Sequence, residues 1–179
     1  PQFAGLIGLC DPPRESIKQD IENCHRAGIR VLMITGDSPL TACAVAQEVG
    51  IQSTDNAITG TMLDQMDEAA LLEIVKTNSV FARTIPSHKM RIIEALRRNG
   101  EVVAMTGDGV NDAPALKYAD IGISMGKKGN QVSREAADLI LMDDRFSTII
   151  ETIHDGRRIY ENIRKAVSYI FTIHIPIAL

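Results

Sequence analysis

A chain of 179 residues, 45% hydrophobic and 23% charged, has globular composition and length for one compact domain with an appendage. Its formal net charge of -4 excludes the global basic field of a nucleic-acid binder. With 4% aromatics and no Trp it offers no base-stacking platform.

In chain order, Phe3 to Leu9 reads as a strand. The amino-terminal run lacks a basic flank and a long apolar stretch, so it does not read as a signal peptide. Pro12 and Pro13 are expected to open a helix capped by Asp11, with Ile17, Ile21 and Cys24 on one face and Gly28 as its stop. Ile29 to Ile34 reads as a buried strand, and Thr35-Gly36-Asp37 as the turn after it. Pro39 opens a helix through Val49, closed by Gly50. Residues 52–66 are polar and turn-rich. A short amphipathic helix is expected over Asp67 to Thr77 and a strand over Val80 to Ala82. Ser87 is read as the cap of a helix through Arg98, with Gly100 beyond it. Strands are expected at Val102 to Met105, Ile121 to Ser124 and Leu139 to Met142, with a helical turn at Val132 to Ala137. From about Ser147 the chain reads as helix to its end, interrupted at most near Gly156.

This alternation implies an α/β fold with a Rossmann-like, doubly wound parallel sheet and a long C-terminal helix. Right-handed crossovers place the strand-end turns on one edge. Cys10, Cys24 and Cys43 show no metal-ligand spacing and read as reduced thiols. Residues 166–179 carry no Asp, Glu, Lys or Arg. They fall short of the roughly 20 apolar residues that cross a bilayer. They read as the first part of a membrane helix that has been cut, or as a buried core helix; Pro176 favours the membrane.

The run TGDGVNDAPAL, Thr106 to Leu116, carries the chemistry. Asp108, Asn111, Asp112 and two glycines form a turn after a strand, at the sheet edge where open α/β folds bind ligands. Hard oxygen ligands there suit Mg2+ working with a phosphate group. The alternative is a capping cluster for the helix near Pro114, which Asp112 serves in part and which leaves Asp108 and Gly109 unexplained. Thr35-Gly36-Asp37 offers a hydroxyl and a backbone N–H for phosphate, or is a structural turn. Lys89 lies near a helix start, where the dipole opposes a cation, so it needs an anion or open solvent. Together these residues would clamp one phosphoryl group. A nucleophile is missing: Asp64, Asp143 and Asp144 have the wrong neighbours.

DPPR (11–14), MITGDS (33–38), FARTIPSHKMRII (81–93) and TGDGVNDAPAL, in that order, resemble the second half of the catalytic part of a P-type cation-transporting ATPase, within the haloacid dehalogenase superfamily. The resemblance covers essentially the whole chain. It implies that residues 1–146 are the C-terminal portion of a phosphorylation domain, and that 147–179 are a stalk helix running into a truncated membrane helix. It implies that Thr35 and Gly36 hold the phosphoryl group of an aspartyl-phosphate and that Lys89 neutralises it. Asp108 would bind Mg2+, with Asn111 and Asp112 positioning the site. Asp11 would lie near a hinge, and Asp37 and Arg83 would face ATP. The stalk would enter the membrane from the cytoplasm, with Arg157 to Lys165 at the surface.

The nucleophile strand, the nucleotide-binding domain, the actuator domain and most membrane helices of the family are absent from this sequence. The chain is therefore expected to be a fragment, inactive alone, with a sheet that lacks a central strand. An abnormal oligomer, an element swap or completion by the missing amino-terminal half is the expected remedy. DPPR and NIRKAVSYI resemble the calcium-pump branch. Ile177 stands about where two-site calcium pumps carry an acid, so one calcium site or another cation is implied. The rival readings are a soluble haloacid dehalogenase phosphatase and a non-catalytic binding module.

Overall fold

The protein, seen in a computed structural model, is described over residues 12–51 and 56–178, with side chains through Ile173. The expected strand at Phe3 to Leu9 and the expected cap Asp11 lie outside the described residues. The chain divides into two compact units, one taking residues up to Asp64 with Thr77–Thr84, the other Gln65–Lys76 and Ile85 onward.

The first unit holds α1 (Ile17–Arg26), β1 (Met33–Ile34), α2 (Pro39–Val49), β2 (Ile58–Thr59), α3 (Gly60–Gln65) and β3 (Val80–Ala82). Its sheet is parallel, in the order β1-β3-β2, with Ile34 and Ile58 flanking Phe81. All three residues of central β3 are fully buried, as an unbroken apolar run predicts for a strand covered on both faces. Ile21, Ala42, Ala46, Val49 and Val80 form the core, with Ile17 and Met33 packed against it. Each large aliphatic side chain buried there contributes about 1.5–3 kcal/mol.

Three expectations fail here. The first helix begins at Ile17, not at Pro12. Pro13 pushes Pro12 away from helical backbone, so no helix can run through the pair. The stretch read as polar and turn-rich contains β2 and α3, with the Met62 N–H donating to Thr59 Oγ1 at 3.3 Å. A two-residue strand has no periodicity to betray it. The strand expected from Ile29 shrinks to Met33–Ile34, because its partner β3 is only three residues long. By contrast α2 has the expected bounds. Ser38 Oγ accepts from the Thr41 N–H, Pro39 starts the helix, and Gly50 closes it in left-handed backbone at φ 84°.

The second unit holds α4 (Glu68–Thr77), α5 (Pro86–Arg98), β4 (Ala104–Gly107), a 3-10 turn (Val110–Asp112), α6 (Ala113–Tyr118), β5 (Ile121–Met125), α7 (Gln131–Ala136), β6 (Leu139–Leu141) and α8 (Phe146–Ala178). Its sheet is parallel, in the order β4-β5-β6. Helix α5 starts at Pro86, so Ser87 lies inside it and is not the cap. Ile85 precedes a proline and is held extended, which makes it the boundary residue. Strand β4 runs two residues further than expected and takes in Thr106 and Gly107.

The ladder is thus two three-stranded parallel sheets, each with strands unpaired on one side among the described residues. Val102, two residues before β4, and Ala104, its first residue, are exposed. Helix α8 continues through Gly156 without interruption. Its root is fixed by Phe146, Ile149 and Ile153 against Ile123, Met125 and Leu141. Among the described residues no helix is long and apolar enough to cross a membrane. Cys24 and Cys43 are free thiols, and Cys10 lies outside the described residues.

Candidate functional site

Parallel strands carry their turns on one edge, so the ends of β1 and β3 meet in the first unit. The Thr35 N–H continues the ladder to the Phe81 carbonyl at 2.9 Å. The turn then closes on itself: Thr35 Oγ1 donates to Asp37 Oδ2 at 3.0 Å and accepts from the Asp37 N–H at 3.1 Å. Gly36 is exposed, makes no hydrogen bond among the described residues, and a Cβ there would meet no atom. Its N–H and its open side are what an incoming anion needs. The Asp37 N–H, by contrast, is already used within the turn.

The turn is braced from β3. The Arg83 N–H donates to the Asp37 carbonyl at 2.9 Å, and both the N–H and Oγ1 of Thr84 donate to the Thr35 carbonyl at 3.0 Å. Arg83 is an exposed non-glycine residue at φ 49°, a strained left-handed conformation that needs such bracing. Thr84 is buried. No sequence signal singled it out.

In the second unit, Lys89 lies in the first turn of α5. Its Nζ donates to Asp112 Oδ1 at 2.5 Å, with side-chain exposures of 19% and 12%. The anion that Lys89 needs is therefore supplied by the chain, at Asp112. The second oxygen of Asp112 accepts from the Gly109 N–H at 3.4 Å. A Cβ on Gly107 would stand 2.6 Å from Asp112 Cβ, so only glycine lets the strand end approach this carboxylate. Asp112 precedes α6 without making a side-chain cap bond, so the capping alternative is not realised. His88 is buried, and its Nδ1 accepts from the Ile85 N–H at 3.3 Å, where a helix start leaves donors over.

Asp108 differs from Asp112. It is exposed just beyond β4, and its carboxylate makes no hydrogen bond among the described residues. Its carbonyl accepts from the Asn130 N–H at 2.8 Å and from Ser133 Oγ at 3.2 Å. Asn111 is exposed in the 3-10 turn. Among the described residues no group of three or more His, Cys, Asp or Glu is poised for a metal. One exposed carboxylate still fits Mg2+, which keeps several waters and takes one or two carboxylates beside a phosphate. The loop after β5 is stapled from behind: Asp144, buried at φ 57°, accepts from the Lys127 N–H at 3.0 Å and the Lys128 N–H at 2.9 Å. These N–H donors, that of Lys127 foremost, hold its carboxyl below the usual carboxylate range.

So Thr35, Gly36, Asp37 and Arg83 lie together in one unit, and Lys89, Asp108, Asn111 and Asp112 lie together in the other. Asp11 lies outside the described residues.

A profile described as a haloacid dehalogenase-like hydrolase matches residues 2–120. Calcium-transporting ATPase 1 of Schizosaccharomyces pombe is 48% identical over 93% of this chain and 20% of its own length. Calcium-transporting ATPase of Bacillus subtilis is 48% identical over 96% of the chain and 19% of its own length. Human calcium-transporting ATPase type 2C member 1 is 49% identical over 93% and 18%. The chain thus spans about a fifth of the length of these relatives. A solved zinc-transporting PIB-type ATPase aligns at TM-score 0.66 and 29% identity, over 87% of this chain and 21% of that one. The catalytic domain of a CPx-ATPase aligns at TM-score 0.59 and 30% identity, over 79% and 45%. The profile match over residues 2–120, together with the parallel α/β architecture, shows that the chain belongs to the haloacid dehalogenase-like hydrolases.

Proposed function

We propose that this chain is part of the catalytic region of an ATP-driven, P-type calcium pump. The observation that carries the reading is the Lys89–Asp112 pair, which ties the start of α5 to the turn after Asp108. Identities of 48–49% to the three calcium-transporting ATPases support calcium as the cargo.

In this reading Thr35 and Gly36 bind phosphoryl oxygens, and Lys89 offsets their charge. Asn111 and Asp112 position the site, while Asp37 and Arg83 face ATP. Asp108 holds Mg2+, which when bound neutralises charge on the phosphoryl oxygens. The phosphoryl group is accepted by an aspartate on a segment outside this chain, where the nucleotide-binding domain also lies. Among the described residues β4 is unpaired on one side, with Val102 and Ala104 exposed beside it, which leaves room for a strand from that segment. Without it the chain is expected to be inactive and to oligomerise or exchange elements. Residues 1–146 act as a cytoplasmic phosphorylation domain, and 147–179 lead toward the membrane. Asp11, by resemblance, serves near the hinge.

The test is reconstitution with the amino-terminal half of the pump, followed by phosphoenzyme formation from labelled ATP and Mg2+. Label should appear only in the combined sample, and Asp108→Asn should abolish most of it. No label after reconstitution would reduce the chain to a binding module. The family description also favours a second reading, a soluble phosphatase. Turnover of p-nitrophenyl phosphate with Mg2+ by the chain alone would establish that instead.

A further inference from the structure

Two serines that the proposed chemistry does not use lie fully buried beneath Asp108. Ser124, in β5, and Ser133, in α7, are both 0% exposed, and their hydroxyls stand 3.0 Å apart. A buried hydroxyl is penalised unless it is bonded, and alanine would fill either position without that penalty. The pair is therefore best understood through what it is bonded to.

Three acceptors surround it. Ser133 Oγ lies 2.8 Å from the Asn130 carbonyl and 3.2 Å from the Asp108 carbonyl; Ser124 Oγ lies 3.4 Å from the Met125 carbonyl. Each hydroxyl has one proton to give. The Asn130 and Asp108 carbonyls each already accept one backbone N–H, from Arg134 at 3.1 Å and from Asn130 at 2.8 Å. Ser124 can donate to Ser133, which leaves the Ser133 proton to be shared between the Asn130 and Asp108 carbonyls, at 2.8 and 3.2 Å. The Asp108 carbonyl then has two donors, the Asn130 N–H at 2.8 Å and Ser133. Gly129 preserves the room: a Cβ there would stand 2.9 Å from Ser124 Oγ and would run into the Met125 carbonyl.

Asp108 needs such a hold. It follows the last residue of β4, precedes a glycine, and its carboxylate is exposed without a hydrogen bond among the described residues. Its direction is set by its own peptide plane. We propose that Ser133, backed by Ser124, is a positioning residue for Asp108. By bonding the Asp108 carbonyl it holds that peptide so that the carboxylate presents to a divalent cation. The inference rests on the metal-binding reading of Asp108 and deepens it. The competing role is a local bond from Ser133 back to the Asn130 carbonyl, a common habit of helix serines.

The test uses the full chain, with Mn2+ as the probe, read by its paramagnetic resonance, and amide exchange read in parallel. Ser133→Ala is expected to weaken Mn2+ binding about tenfold, the low end for partners that orient metal ligands. It should also quicken exchange at the Asn130 amide. Ser124→Ala should do the same to a smaller degree, and the double variant should be no worse than Ser133→Ala, since the two act as one unit. Ser133→Cys, which keeps the shape with a weaker donor, should fall between. It carries the test, together with Ser124→Ala, if Ser133→Ala does not fold. Asp108→Asn is the control. If it abolishes Mn2+ binding while a folded Ser133→Ala binds Mn2+ and protects Asn130 like the parent, the positioning role is overturned. If Asp108→Asn binds Mn2+ as the parent does, or the parent binds none, the metal reading itself falls and takes the inference with it.

Discussion

Lys89 and Asp112, 23 residues apart in sequence, form an ion pair at 2.5 Å in which most of both side chains is withdrawn from water. Such a pair is costly to break from one side, because the partner left behind stays buried and uncompensated. Lys89→Met should therefore destabilise the chain by about 3 kcal/mol, the low end for a buried pair since part of Lys89 remains wet. Pairing it with Asp112→Leu should recover much of the loss. Urea denaturation of the two singles and the double decides this. Additive losses would mean that the contact contributes nothing.

Gly107→Ala tests the approach of β4 to the same carboxylate. The new Cβ would stand 2.6 Å from Asp112 Cβ and 2.9 Å from its Cγ, and neither is the far end of a flexible chain. A loss of about 1–3 kcal/mol is expected from the forced shift. Unchanged stability in a thermal melt would show that the turn has slack.

The Thr84 brace on the first turn invites an isosteric test. Thr84→Val removes the hydroxyl and leaves the backbone donor to the Thr35 carbonyl. The expected loss is about 1 kcal/mol, one buried hydrogen bond, and Thr84→Ser should restore it. In the reconstitution that tests the proposed function, Thr84→Val should also lower phosphoenzyme, through Thr35. Equal stability of Val and Ser variants would remove Thr84 from the site's support.

Asp144 makes stability depend on acid. Its carboxyl is held below its usual range, chiefly by the Lys127 N–H. A depressed carboxylate contributes stability above its unfolded-state pKa, about 3.9. That contribution is lost as the pH falls through the depressed folded value. The melting temperature of the parent should therefore drop on acidification below about pH 4, and Asp144→Asn should flatten that part of the profile. Identical acid profiles would refute the staple.

What the sequence made legible follows physical range. Ser38, Pro39 and Gly50 are local punctuation, and α2 has the bounds they dictate. Thr35-Gly36-Asp37 was legible as a turn after a strand, and Lys89 as a cation in need of an anion. Which anion was not legible, because Asp112 reaches Lys89 only through the packing of α5 against the turn after β4. Thr84 and Ser133 were illegible for the same reason: each acts on a carbonyl of another segment, 49 and 25 residues away. Ser124 was legible only as the end of an expected strand, which the structure extends to Met125. Ser87 misled because it is a good cap residue in general, while Pro86 had already set the helix start.

Helix α8 has a mechanical consequence. Its 33 residues extend about 50 Å, yet only its first two turns pack into a core. From His154 to Ile173 every residue is exposed except Glu161, which is half-buried, so among the described residues of the second unit nothing clamps that length. The arm beyond residue 153 is about 37 Å long, and a tilt of about 5° at its base sweeps the far tip through about 3 Å. Asp143, which accepts from the Arg145 N–H and the Thr148 hydroxyl, and Asp144, which grips the loop after β5, sit at that pivot. A sub-ångström adjustment of the loop is thereby geared up to a displacement as large as an atom's diameter.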